Sequence, residues 1–328
     1  MTKPILPAFL SVQGHHLSDD EKRLFEQSNP LGVCLFAKGC GNVQNKEQLK
    51  ALCREIKETI GRNDVLIAVD QEGGRVRRLT EPEFTPLTEQ AALLTPELAR
   101  IHAFLAAYDL KNCGINVNFA PVLDICYPFS SNVLKGRCFC GDEKQIAELG
   151  KAMVDEYSAN GICPCVKHLP GHGRAKADPH LELPVIDDDF ETLQQDFYPF
   201  KKLNYAPMGM VAHLLLTKID SRNPSSESPI VIQKIIRQSI GFSGFLVSDA
   251  IVMQALKGSI AERAQRSLAA GCDAVCLGNA GYEANSELAA SKTAMSDNAL
   301  ERLQKISTVI SKPLSLQSYE QQKNKYCA

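Results

Sequence analysis

The sequence predicts a closed (β/α)8 barrel, folded as a single domain over residues 1–328. Three observations lead there. Eight short apolar runs recur at Pro7–Val12, Leu31–Phe36, Val65–Asp70, Ile115–Pro121, Ile162–His168, Met208–His213, Gly244–Asp249 and Cys272–Gly278. Segments of helical periodicity separate them, and continuous apolar strands alternating with amphipathic helices imply a parallel sheet covered by helices. Polar residues also gather where the runs end: Asp70, Asp124, Lys167-His168, His213 and Asp249. An α/β barrel carries its chemistry at that rim.

In chain order, the helix candidates are Lys46–Thr59, Pro96–Asn112, Glu143–Asn160, Phe190–Leu203, Ile230–Ile240 and Ile260–Ala270. The first places Leu49, Leu52 and Ile56 on one face, and the second does the same with Leu98, Ile101, Leu105 and Tyr108. Beyond Gly278, the stretch Tyr282–Ser311 has room for two more helices, and the polar tail from about 312 is expected to fray. No G-x-G-x-x-G follows the first run, which argues against a dinucleotide-binding sheet.

Composition excludes several classes of function. A net charge of −2 gives no basic excess for nucleic acid or an anionic membrane. No apolar run approaches the ~20 residues of a membrane span, and the apolar part of MTKPILPAFLSVQG is too short and broken for a secretory signal. The twelve cysteines sit mostly in apolar runs, and none form a C-x-x-C pair. A reduced, cytoplasmic enzyme without a cofactor is the expectation.

One stretch concentrates the chemistry. Residues 166–180 read VKHLPGHGRAKADPH, with three of the seven histidines (His168, His172 and His180) beside Lys167, Arg174, Lys176 and Asp178. An apolar run leads into it, and its glycines and prolines oppose a helix. Asp178 and His180, two apart, would share one side of an extended segment, where a carboxylate orients an imidazole and stabilises its cation. Asp249, followed by small Ala250, is a candidate carboxylate nucleophile. Asp70, Arg78, Arg137, Lys167 and His168 suit a polar, hydroxyl-rich ligand. The residues alone thus indicate a barrel hydrolase or transferase acting on a small polar substrate. His15 and His16 read as a polar loop, and His102 as a surface or half-buried helix residue.

These motifs resemble the glycoside hydrolase family 3 β-N-acetylhexosaminidases. VKHLPGHG is similar to that family's K-H-F-P-G-H-G signature, with Leu169 in place of Phe. The likeness continues through DQEGGRVRRL (70–79), NFAPVLDI (118–125), DSRNPSS (220–226), IGFSGFLVSDAIVM (240–253) and AGCDAVCLGN (270–279). It implies a retaining mechanism through a covalent glycosyl-enzyme, with Asp249 as nucleophile and His180 as acid/base, carried on a mobile loop with Asp178 as partner. It also implies sugar-binding roles for Asp70, Arg78, Arg137, Lys167 and His168. The substrate implied is N-acetylglucosamine linked to 1,6-anhydro-muramoyl peptides, in cell-wall recycling.

The chain departs from the family pattern at three places. Ala250 replaces the second Asp of S-D-D, Pro179 replaces the Ser or Thr of Asp-Ser/Thr-His, and Arg137 lies in GRCFCG after an unusual CYPFSSNVLK segment. Proline at 179 is expected to stiffen the loop. A phosphorylase on the same fold, a metal-dependent hydrolase using His168, His172, His180 and His213, and a non-catalytic sugar binder are the alternatives. The metal reading lacks a His-x-His at any strand end.

Overall fold

The computed structural model describes residues 3–37 and 41–327. Eight parallel strands close into a barrel: β1 (Leu6–Ser11), β2 (Pro30–Leu35), β3 (Leu66–Val69), β4 (Val117–Asn118), β5 (Cys163–Leu169), β7 (Met208–Val211), β9 (Phe245–Ala250) and β10 (Ala274–Cys276). Each strand pairs with its predecessor, and β10 returns to β1 through Ala8–Val275 and Phe9–Cys276. The fourth apolar run, Ile115–Pro121, keeps only two residues of ladder before Ala120-Pro121 interrupts it. A lone bridge from Val122 to Lys167 carries the pairing on toward the rim.

Strand side chains point alternately inward and outward, and both sets are buried. Phe9, Phe119, Cys165, Met208, Phe245 and Val247 fill the barrel, with Phe9 and Phe119 edge to face at 5.7 Å. The outward set packs under the helices α1 (Asp19–Ser28), α2 (Lys46–Ile60), α3 (Pro96–Asn112), α4 (Glu143–Ala159), α5 (Phe190–Lys202), α6 (Ile260–Ala270) and α7 (Tyr282–Ala290). Several helices start on side-chain caps readable in the sequence: Ser18 with Glu21, Asp142 with Gln145, and Ser259 with Glu262. Helix α8 (Asp297–Ile310) sends Ala299, Leu303 and Ile306 into the barrel cluster, and Met295, just before it, joins them and ties the helix to the strand-start side by its N–H donating to the Ile5 carbonyl. That closes the barrel floor. No helix among the described residues is long and apolar enough to cross a membrane.

Four features differ from the sequence reading. Helix α1 was missed because its only buried side chains are Glu21 and Phe25, too few to show a period. A short sheet of β6 (Val185–Ile186) and β8 (Leu215–Leu216) lies outside the barrel. The helix expected at Ile230–Ile240 is a π-helix over Val231–Ser239, with Ile240 N–H donating to the Ile235 carbonyl. Nine residues are too few for apolar spacing to separate the two periods.

The tail is the fourth. Its last residues form α9 (Tyr319–Cys327), seated on α3. Tyr319 stacks on Tyr108 at 4.3 Å and its hydroxyl meets Thr85 Oγ1 at 2.8 Å. Tyr326 Oη meets His102 Nδ1 at 2.7 Å and accepts from Thr88 N–H at 2.9 Å. His102 is therefore fully buried rather than at the surface, and burial pushes its pKa down to about 4. Its Nε2 lies 2.9 Å from the Glu72 carbonyl, an acceptor only, so Nε2 carries the proton and Nδ1 accepts from Tyr326. Polar composition concealed two tyrosines that dock the tail. Tyr326→Phe strands the Thr88 donor and the His102 acceptor, and should cost about 1–3 kcal/mol in denaturant melts. An unchanged midpoint would show that the tail is not docked in solution.

Candidate active site

The strand ends converge on a cavity of about 450 Å³ whose lining includes Asp70, Arg78, Arg137, Lys167, His168, His180 and Asp249. Its floor is a network of buried charge. Lys167, 2% exposed, points up from β5 to meet Asp70 at 2.8 Å and Glu72 at 2.6 Å. Arg78 holds the other oxygen of Asp70 at 3.0 Å, while Arg137 grips both oxygens of Glu72 at 2.8 Å. Burial penalises the charges of Asp70, Glu72, Lys167 and Arg137. The Lys167 and Arg78 cations nevertheless hold the Asp70 pKa well below the carboxylate range. Arg137 and Lys167 hold Glu72 down, and the two carboxylates raise Lys167 in turn. The floor is thus ionised and presents rigid donors and acceptors upward.

Local folding sets each of these groups. Gln71 accepts from the N–H groups of Arg78 and Leu79 at 2.8 and 3.0 Å, and Asn118 clasps the Gln71 backbone at 3.0 Å on both sides. That clasp fixes the loop carrying Arg78. His168 is oriented by Asp124, which meets its Nδ1 at 2.6 Å and also accepts from His172 N–H at 2.7 Å. Gly173 lies so close to the Ile125 carbonyl that no β-carbon fits, which is why a glycine follows His172. His213 sits under β9, its Nδ1 2.7 Å from Ser226 Oγ and its Nε2 3.1 Å from the Ala250 carbonyl. The DSRNPSS segment supplies Ser226, and its Asp220 braces the turn through Arg222, Asn223 and Ser228.

Asp249, next to last in β9, lies inside the cavity, 9% exposed. Burial opposes its charge, but His168, His213, the Ala250 N–H at 2.7 Å and Lys167 outweigh it and hold the carboxyl below the usual range. The site therefore keeps an anion where one is costly. His180 lines the same cavity, its Nδ1 2.8 Å from Asp178 Oδ1. The pair meets in a turn and not along an extended segment: Asp178 Oδ1 also accepts from His180 N–H at 2.9 Å, and Leu181 N–H closes the turn on the Asp178 carbonyl. An Asp side chain bonding two residues on favours such a turn, and proline is at home in its second position. Pro179 therefore presets the His–Asp contact. Asp178 is held below its ordinary pKa, burial being overcome by the His180 N–H and ring.

The eight residues singled out from sequence thus meet at one rim. The four histidines of the metal alternative do not converge: His168, His180 and His213 each face a different partner. Among the described residues no cluster of His, Cys, Asp or Glu is arranged to hold a metal.

Residues 8–308 match the family described as the glycosyl hydrolase family 3 N terminal domain. The chain belongs to glycoside hydrolase family 3. Among the relatives of this hydrolase, the β-hexosaminidase of Bordetella avium is 35% identical over 287 residues, covering 83% of this chain and 80% of that protein. The β-hexosaminidase of Thiobacillus denitrificans is 36% identical over 291 residues, with 83% and 78% covered. In three dimensions the hydrolase resembles NagZ from Neisseria gonorrhoeae in complex with N-trifluoroacetyl-D-glucosamine: 29% identity, TM-score 0.86, and 99% and 98% covered. The sequence resemblance and the closed barrel agree.

Three groups that shape the hydrolase's site were not assigned from sequence. Glu72, in DQEGG, anchors Lys167 and Arg137; Asp124, seen only as a rim residue, orients His168; His213 backs β9. Glu72 and Asp124 lie within recognised motifs and His213 ends an apolar run, but only the fold shows which neighbour each serves. His172 is also buried, with neither ring nitrogen hydrogen-bonded, and burial pushes its pKa down to about 4.

Proposed function

We propose that this hydrolase is a retaining exo-β-N-acetylglucosaminidase, with Asp249 as nucleophile and the His180–Asp178 pair as acid/base. The observation that carries the reading is an ionised, buried Asp249 sharing one cavity with an imidazole whose Nδ1 is already held by a carboxylate. With Nδ1 engaged, His180 offers Nε2 to the substrate.

In the first step Asp249 attacks the anomeric carbon while His180 Nε2–H protonates the departing oxygen, leaving a glycosyl ester and a free alcohol. In the second, neutral His180 takes a proton from water as its oxygen attacks the same carbon, releasing the sugar and restoring the Asp249 carboxylate. Asp178 holds the ring and stabilises the imidazolium. Asp70, Arg78, Arg137, Lys167 and His168 would grip the hydroxyls of the terminal sugar, and a deep floor of fixed charge suits a chain end better than a chain interior. The substrate we favour is N-acetylglucosamine linked to a 1,6-anhydro-muramoyl peptide, in the turnover of cell-wall fragments, a cytoplasmic role. The N-acylated glucosamine bound in the gonococcal relative supports the sugar.

The expected result is release of 4-nitrophenol from its N-acetyl-β-glucosaminide at a rate indifferent to phosphate, with the β-anomer formed first by NMR. No turnover by folded protein would overturn the reading. A rate that requires phosphate would convert it to a phosphorylase.

A further inference from the structure

Two thiols meet in the stretch where the chain departs from the family pattern, CYPFSSNVLKGRCFCG (126–141). Cys126 is exposed, Cys138 is buried, and neither is in a disulfide. A series of turns brings the second back beside the first. Tyr127 N–H donates to Ser130 Oγ at 2.8 Å, Leu134 N–H to the Ser131 carbonyl at 3.1 Å, and the N–H groups of Arg137 and Cys138 to the Leu134 carbonyl at 3.0 and 3.3 Å. Cys138 then packs with Leu134 and Val122, the last only four residues before Cys126. There its thiol donates to the Cys126 sulfur. The loop between them is anchored: Ser131 N–H donates to the Ala175 carbonyl at 2.9 Å, Arg75 Nη2 to the Asn132 and Val133 carbonyls at 3.1 and 2.7 Å, and Arg137 grips Glu72. The two sulfurs are therefore held together by the fold.

The contact gives the sulfurs different characters. The bond from Cys138 stabilises a thiolate at Cys126, Ser130 adds a second donor, and Lys135 adds a cation. Partial burial and the Asp124 carboxylate oppose them but are outweighed, so the Cys126 pKa falls to about 6. Cys138 stays protonated: its bond to Cys126, burial and Asp124 push its pKa far up, and Arg137 offsets only part of this. An exposed thiolate thus lies beside a thiol that can reach it, the arrangement that makes a cysteine reactive. The barrel interior holds a second thiol contact, between Cys34 and Cys276. Both of those side chains are buried, and the Cys34 thiol is pushed well above its ordinary range by the contact and by burial. That pair offers no exposed nucleophile.

We propose that Cys126 and Cys138 form a peroxide-sensitive dithiol, with Cys126 the attacking sulfur and Cys138 the resolving one. The oxidant is hydrogen peroxide. The Cys126 thiolate attacks one peroxide oxygen; an S–O bond forms, the O–O bond breaks, and the departing hydroxide takes up a proton from solvent, leaving a sulfenic acid and water. Cys138 then attacks the Cys126 sulfur and passes its proton to the hydroxide that leaves; an S–S bond forms and the S–O bond breaks. Two thiols are oxidised to one disulfide, and one peroxide is reduced to two waters. A thiol reductant reverses the change by exchange at the same bond. This chemistry does not depend on the glycosidase reading and is tested without a sugar.

The test treats the reduced, folded protein with equimolar hydrogen peroxide, alkylates the remaining thiols and maps tryptic peptides by mass spectrometry. The expected product is the peptide 112–135 joined to the peptide 138–144, lighter by two hydrogens than the two apart, with fragmentation placing the bond between Cys126 and Cys138 and not on Cys113 or Cys140. Dithiothreitol should separate them. Cys140→Ser should still form the bond, and Cys126→Ser should not. In Cys138→Ser the sulfenic acid on Cys126 should persist and be trapped by dimedone. A measurement on the wild type alone covers the case in which a variant fails to fold: at pH 6, iodoacetamide should modify Cys126 about tenfold faster than exposed Cys140 or Cys327. No linked peptide, a bond that ends on Cys140, or alkylation of Cys126 no faster than of the other exposed thiols would overturn the proposal.

Discussion

Asp249→Ala should lose kcat by about four orders of magnitude or more, the usual consequence of deleting a covalent nucleophile. Of the described residues of β9, Asp249 and Ala250 line the cavity, and of the two only the first carries a nucleophilic side chain, while alanine at 249 leaves the barrel around it intact. Among the described residues no ion pair joins it to the network of Asp70, Glu72, Lys167 and Arg137, so KM should move far less than kcat. Added azide should recover part of the rate and give the α-glycosyl azide, because the anion now attacks directly from the vacated face. Turnover within about a hundredfold of wild type, with no effect of azide, would mean that Asp249 is not the nucleophile.

Glu72→Ala should be the most destabilising single change at the site. Glu72 is 1% exposed and joins two buried cations, Lys167 at 2.6 Å and Arg137 at 2.8 Å. Removing one partner of a buried ion cluster costs about 3–5 kcal/mol, since it leaves uncompensated charge in a dry place. A melting point lowered by roughly 10 °C is the expected scale. Glu72→Gln keeps the shape and one acceptor, and should cost less. The pH dependence supplies a second check. Burial raises the Glu72 pKa, but Arg137 and Lys167 depress it further, so the folded value lies below the unfolded one. Its stabilisation is then fully present above the unfolded carboxyl value near 4.3 and disappears as pH falls through the folded value. The gap between wild type and Glu72→Gln should therefore close on acidification through that window. A gap that is constant with pH would show that the ion cluster is not what stabilises the floor.

How much of this was legible in the sequence divides along a physical line. The barrel was, because its strands are buried on both faces and read as continuous apolar runs, and because rim residues fall just after them. The proposed nucleophile, the proposed acid/base pair and Asp70, Arg78, Arg137, Lys167 and His168 were marked by type, by position at a strand end and by motif. Pairings across strands were not. Nothing in the spacing of Glu72, Arg137 and Lys167 shows that one carboxylate serves two cations, one on β5 and one on a loop. Nor could Tyr326, in a polar tail, be matched to His102, which in turn holds the Glu72 backbone. The Asp178–His180 contact was foreseen, but as an extended pair; the Asp side chain's bond to the His180 N–H makes it a turn. Contacts set by long-range closure have no local periodicity to betray them.

The central claim is that catalysis passes through a bond to Asp249. The most direct measurement is intact-protein and peptide mass spectrometry after incubation with a 5-fluoro-N-acetylglucosaminyl fluoride, whose fluorine slows breakdown of the intermediate while the fluoride leaves readily. The account predicts a single added fluoro-sugar mass, on the peptide containing Asp249, absent from Asp249→Ala and lost slowly in buffer as activity returns. An adduct on another residue, or steady turnover of the reagent with no adduct at any time, would contradict it.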